Sequence, residues 1–194
     1  MRLNSKPMMV ALAGIVLLGG GAATSSQNPS IDKTGKDQVS VHLSLRASTL
    51  LAEIQKEATG LSHHANTLKA HASNNQSSWV SHADNLDKIK GHINAVGERT
   101  AELQRIQHGV LPWQQQAIKE VTSHAAQVAA GTQAAIIQLN ENRNVVYRPE
   151  YRDQVATIAD GSENMKQAVD KFLAYAKTQQ RMRQLQRELE LSGD

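Results

Sequence analysis

Four stretches of this chain place apolar residues at alternating intervals of three and four, the spacing that lines one side of a helix. The clearest runs through Trp79, His82, Leu86, Ile89, Ile93, Val96, Thr100, Leu103, Gln107 and Val110. A second run follows with Ile118, Val121, Ala125, Val128, Thr132, Ala135 and Leu139. A third holds Tyr151, Val155, Ile158, Ser162, Met165, Val169, Phe172 and Ala176, then changes phase to Met182, Leu185 and Leu189. The N-terminal stripe reads Leu43, Ala47, Leu50, Ile54, Glu57, Leu61, His64, Leu68 and His71. Each stripe is apolar on one side only, so no helix is stable alone and the stripes must bury one another.

The joints between the stripes are short. "ASNNQSS" at 72–78 offers asparagine to end one helix, and Ser77 or Ser78 to cap the next. In "GVLPWQQQAIKEV" at 109–121, Gly109 is expected to end a helix in the left-handed conformation and Pro112 to sit in the first turn of the next. Leu111 is held extended by the proline after it, Trp113 closes the apolar end, and the glutamines serve as ordinary helix formers. "NRNVVYRPE" at 142–150 ends a helix among asparagines and restarts one at Pro149. The prediction is an all-α protein with helices over about 38–72, 78–108, 112–142 and 150–189. Short joints make neighbours antiparallel, so these helices form an up-down-up-down antiparallel four-helix bundle over residues 37–190. At about 30 residues each they would be about 45 Å long, which makes the bundle elongated.

Composition agrees, since aromatic residues make up only 3% of the chain while Ala, Gln, Leu, Lys and Glu, all helix formers, abound. The N-terminus reads differently. Arg2 and Lys6 precede an apolar core from Met8 to Leu18 and small residues up to Ala23, the layout of a secretory signal peptide over 1–23. An uncleaved anchor is the competing reading, although the apolar core is shorter than the roughly 20 residues a span requires. Residues 24–36 are polar and aperiodic, a flexible leader. Removing Arg2 and Lys6 from the 21 basic residues leaves 19 against 18 acidic ones, so no overall field points to nucleic acid or to an anionic membrane. There is no cysteine, which excludes disulfides, thiol nucleophiles and thiolate metal sites.

Candidate chemistry is sparse. Glu57 falls where its stripe wants a leucine, and folding the segments about residues 75, 112 and 146 sets it level with Thr132 and Ser162. Gly97, Gly131 and Gly161 each cost about 1 kcal/mol relative to alanine inside a helix, which suggests close helix approach or a small polar ligand cavity lined by Glu57, Thr132 and Ser162. The alternative register puts Ala58 in the core and leaves Glu57 in water. Among the eight histidines, His71 and His82 form the best candidate metal pair across the first joint. They remain a pair, and no Glu-x-x-His di-iron motif is present, so no metal or other cofactor is expected. Nor is there a phosphate-binding glycine loop or a Gly-x-Ser-x-Gly elbow, and the chain is read as a non-enzyme.

"LPWQQQAI" with "TQAAIIQLNENR" at 132–143 and "YAKTQQRMRQLQRELE" resembles an uncharacterised family of exported bacterial helical-bundle proteins, over roughly residues 79–190. The resemblance implies an exported helical protein and supplies no activity or site residues. The expectation is therefore a periplasmic or secreted binding or structural protein of the cell envelope. It would engage another envelope protein or a second copy of itself, with no nucleic acid and no membrane span after signal cleavage. The alternative is a bundle that binds a small ligand or a metal.

Overall fold

The computed structural model describes residues 33–191 except residue 75, with side chains from residue 38 onward. The predicted signal peptide and the leader up to residue 32 lie outside the described residues. Four helices follow in order: α1 (Lys33–Ser73), α2 (Trp79–Ile106), α3 (Pro112–Glu141) and α4 (Pro149–Leu191). Short 3₁₀ turns, Gln107–Gly109 and Arg143–Tyr147, lead into α3 and α4. There is no strand among the described residues. α1 begins five residues before its predicted start, so the last four residues of the expected leader are helical. Extending an existing helix adds one hydrogen bond per residue fixed and avoids a second nucleation.

α1 packs against α2 and α4, α3 packs against the same two, and α1 and α3 barely touch across the diagonal. Cross-helix bonds fix the directions. Gln55 donates to Asp170 at 2.6 Å, Ser62 to Glu163 at 2.7 Å and Lys69 to Asp160 at 2.9 Å, so α4 descends as α1 rises. Arg46 bonds Glu102 and Arg99 bonds Glu53, so α2 descends as well. The architecture is the predicted antiparallel four-helix bundle.

The stripes of α2 and α3 are buried as predicted, from His82 to Leu103 and from Ile118 to Leu139. That of α4 is buried from Tyr151 to Phe172. α1 differs by one residue over most of its length: the buried set is Ala47, Leu50, Leu51, Ile54, Ala58, Leu61, Ala65, Leu68 and Ala72. Alanines 58, 65 and 72 take the places assigned to Glu57, His64 and His71. Small side chains let α2 and α4 approach α1 closely, and the three polar residues move to the flank of the seam.

The joints use side chains for their stray backbone groups. Ser78 caps α2 by accepting from the Val80 N–H at 3.0 Å, and the Asn142 side chain accepts from the Asn144 N–H at 3.0 Å. Leu111 is extended (φ −64°, ψ 151°) ahead of Pro112, the first residue of α3. Gly109 departs from expectation, because it closes a 3₁₀ turn without a left-handed φ. Its smallness serves a close approach: the Leu43 side chain occupies the place a Cβ would take, and Ser40 Oγ donates to the Gly109 carbonyl at 3.4 Å.

The glutamine run also holds more than helix formers. Gln114 is fully buried, accepts from the Leu111 N–H at 3.0 Å, and donates to the Ser44 carbonyl at 2.7 Å and to Ser48 Oγ at 3.0 Å. One amide thus ties the start of α3 to the flank of α1. The two tryptophans sit at opposite ends of the rod. Trp79 lies 4.1 Å under the Arg143 guanidinium, and Trp113 meets Tyr175 edge-on with centroids 6.0 Å apart.

α1 has 41 residues and α4 has 43, against 28 and 30 for α2 and α3. At 1.5 Å per residue the first pair spans about 60 Å and the second about 45 Å. The excess lies at one end. Residues 38–42 of α1 and 180–191 of α4 run past the ends of α2 and α3, where only the turn at Gly109 reaches back to Ser40, and every one of them is exposed. Met182, Leu185 and Leu189 are therefore outside the core, contrary to their place in the predicted stripe, because neither α2 nor α3 reaches their level.

Two sets of substitutions test these contacts. Gly91 faces open space, so Gly91→Ala should add about 1 kcal/mol of helix propensity and raise the Tm by about 2–4 °C. A Cβ at Gly60 would lie 2.5 Å from the His92 ring, so Gly60→Val should lower the Tm; equal shifts would refute the close approach. Gln114→Ala should cost about 1–3 kcal/mol in a urea titration, by leaving the Leu111 N–H without its acceptor and cutting the tie to Ser44 and Ser48. Gln116→Ala, at an exposed site two residues on, should cost less than about 0.5 kcal/mol.

Candidate functional site

The central cavity expected around Glu57, Thr132 and Ser162 is not assembled. Thr132 Oγ1 donates to the Val128 carbonyl at 2.7 Å and Ser162 Oγ to the Ile158 carbonyl at 2.6 Å, so each buried hydroxyl is satisfied within its own helix. Glu57 points to α2, where His92 Nδ1 lies 2.9 Å from its carboxylate, and both side chains keep about a quarter of their surface in water. Along the antiparallel pairs Glu57 stands near the level of Ala168, about one and a half turns from Ser162, and two to three turns from Thr132. The chain reverses at the turn Gln107–Gly109 instead of at residue 112, and each residue of displacement in a reversal shifts the opposite level by two. Gly131 and Gly161 do mark close approach: a Cβ on Gly131 would stand 3.1 Å from Ile158, and one on Gly161 3.1 Å from Val128. Gly97 faces open space and needs no such account.

What the fold assembles in place of that cavity is a polar seam along the α1–α2 interface. Glu57, His64 and His71 recur every seven residues on α1, and α2 answers with Arg99, His92, Asn85 and His82. Glu53 holds Arg99 Nε at 2.9 Å, and the His64 and His92 rings stack with centroids 5.5 Å apart. His63 meets His64 edge-on at 5.1 Å. Burial lowers the pKa of His64, and the neighbouring His92, His63 and Lys88 lower it further. Sequence reading alone missed His64 and His92 as a pair, although the seven-residue spacing on one helix was the available signal.

At the joint end, His71 Nδ1 sits 2.9 Å from Ser77 Oγ, and its ring lies 6.1 Å from that of His82. These two histidines are neighbours, as the folding of the first joint implied. His82, however, is buried and turns to Tyr151 of α4, with Nδ1 3.3 Å from the phenol oxygen. Burial drives the His82 pKa down to about 4 and that of Tyr151 upward, so both groups are neutral near neutrality. A neutral imidazole and a phenol can exchange one hydrogen bond in a dry setting, which is a structural contact. Among the described residues no three histidine, aspartate or glutamate side chains converge as an ion's ligand set would require.

The projecting end has a different character. Tyr175, Met182, Leu185 and Leu189 of α4 are 46%, 54%, 48% and 71% exposed, and Val39, Val41 and Leu45 of α1 about 60%. Tyr175, Thr178, Met182, Leu185 and Leu189 continue the alternating three-and-four spacing, flanked by Lys177, Arg181, Arg183, Arg187, Glu188 and Glu190. No helix of the described residues is long and apolar enough to cross a membrane. Comparison of the chain with protein-family models, with curated proteins and with solved structures finds no match in any of the three.

The His82–Tyr151 contact predicts a pH dependence. The folded chain protonates His82 only near pH 4, whereas an unfolded histidine takes up its proton near 6.5. Protons therefore favour the unfolded state across that window, and stability should fall by up to about 3 kcal/mol as the pH drops from 6.5 to 4. Replacing both partners, His82→Leu with Tyr151→Phe, removes the titrating group without stranding a buried hydroxyl, and should flatten the plot of Tm against pH. An unchanged slope would place the sensitivity elsewhere.

Proposed function

We propose that this is an exported, non-catalytic helical-bundle protein of the cell envelope that works by binding another protein chain through its projecting end. The observation that carries the reading is the projecting end itself, where α4 continues as an amphipathic helix with every residue from Gln180 to Leu191 exposed. An isolated helix of this length is marginal in water, and a helix whose apolar row stays wet gains no stability from it. A partner that covers the row would supply what the rest of the bundle has through its own packing. Export is supported by the signal-peptide layout of residues 1–23 and by the resemblance of the segment from "LPWQQQAI" onward to exported helical-bundle proteins. The non-catalytic reading is supported by the α1–α2 seam, whose polar groups are largely taken up by one another.

Site-specific photocrosslinking in living cells tests the binding reading. A photoreactive residue at Gln186, beside the exposed row, should give discrete protein adducts, whereas one at Gln127, exposed on α3, should give none. Adducts at neither position, or equally at both, would refute the projecting end as the binding surface. Export is read separately, as a mature N-terminus at Thr24.

A further inference from the structure

We infer that the occupant of the projecting end is a second copy of this chain, joined end to end through antiparallel pairing of the two α4 tails. The inference rests on the reading of that end as a binding surface and adds the identity of the partner. Three features support it, and the first is register. Taking Met182 and Leu185 as the core positions of a heptad, antiparallel helices set Met182 of one copy against Leu185 of the other, and the reverse on the opposite side of the two-fold axis. The same alignment brings Leu189 of each copy to Thr178 of the other, so the exposed row is self-complementary.

The second feature is charge. Arg181 and Glu188 flank that row on the same side, seven residues apart. In the antiparallel alignment Arg181 of one copy lies alongside Glu188 of the other, twice over by symmetry. The opposite flank carries Gln179 and Gln186, which meet each other without charge conflict. Lys177, Arg183, Arg187 and Glu190 fall on outer positions of the heptad, away from the joint. A parallel pairing would set Arg181 against Gln186 of the other copy and lose this complementarity.

The third feature is length. In this alignment each α4 ends against the other copy near Thr178, the level at which α2 and α3 stop and the tail begins to project. Through the overlap the assembly contains α1 and α4 of each copy, four helices in cross-section, as in the body of each bundle. Val39, Val41 and Leu45 of α1 lie in this section and are exposed in the single chain. The dimer is a continuous four-helix rod about 1.6 times as long as either protomer, because the two tails overlap.

The purified mature chain, residues 24–194, should sediment as a concentration-dependent dimer. Leu185→Glu should make it monomeric while leaving the thermal melt of the bundle in place, because Leu185 lies outside the core. Arg181→Glu and Glu188→Arg should each raise the dimer Kd at least about tenfold, and the double variant should restore it to within about threefold of the parent. A chain that stays monomeric at about 100 μM would overturn the inference, as would a dimer indifferent to both charge reversals. Binding of a monomeric chain to phosphatidylglycerol vesicles, weakened by Leu185→Glu, would also overturn it and make the end a membrane-docking surface. If the purified chain is monomeric but Gln186 adducts in cells contain other proteins, the second copy is excluded while the binding role of this end stands.

Discussion

Because α1 packs against α2 on one side and α4 on the other, the phase of its buried stripe constrains every other contact in the body of the rod. That stripe is built from leucines and isoleucine alternating with Ala47, Ala58, Ala65 and Ala72, all within 3% of full burial. Small residues at regular intervals draw the neighbouring helices close. The positions immediately before the last three of those alanines, Glu57, His64 and His71, are then carried to the rim, too near α2 to be fully wet. A half-buried carboxylate or imidazole is costly without a partner, so α2 and the joint before it must supply hydrogen-bonding groups at matching heights. Glu57 with His92 and His71 with Ser77 follow from that requirement.

The same constraint explains what could be read from the sequence. α2 alternates large aliphatic residues with charged ones, and α3 spaces Ile118, Val121, Val128 and Leu139 along one side among glutamines and small residues, so their buried sides were plain, and Asn142, Pro112 and Pro149 marked joints by mechanisms local to the chain. α1 offered two adjacent registers, one through Glu57, His64 and His71 and one through Ala58, Ala65 and Ala72. Alanine is too weakly hydrophobic to settle such a choice, which is made by packing against helices remote in sequence. The level of Glu57 against Thr132 and Ser162 was illegible for a related reason, since it depends on where each reversal falls, to the residue. Gln114 continues its stripe as a polar residue that reads as an ordinary helix former, and two of its three hydrogen bonds exist only because Ser44 and Ser48 lie across the joint.

Buried polar groups in this core follow two regimes. Thr100, Thr132 and Ser162 return their hydroxyls to carbonyls one turn back, a local solution that asks nothing of neighbouring helices. Gln114 and the His82–Tyr151 pair reach across elements and so fix their relative heights. The first kind tolerates sliding of one helix along another, whereas the second forbids it. These two contacts stand at the ends of the common bundle, Gln114 where α3 begins and His82 with Tyr151 at the opposite joint, and the buried Ser62 adds a third between them by donating to Glu163.

The placement of the two tryptophans gives this geometry an optical consequence. Trp79 sits beneath a guanidinium at one pole and Trp113 beside a phenol at the other, separated by nearly the full length of α2. In a chain with a single phenylalanine and three tyrosines, almost all near-ultraviolet emission comes from those two places. The molecule thus carries a separate native fluorophore for each end, and replacing either indole would leave a label-free view of the other.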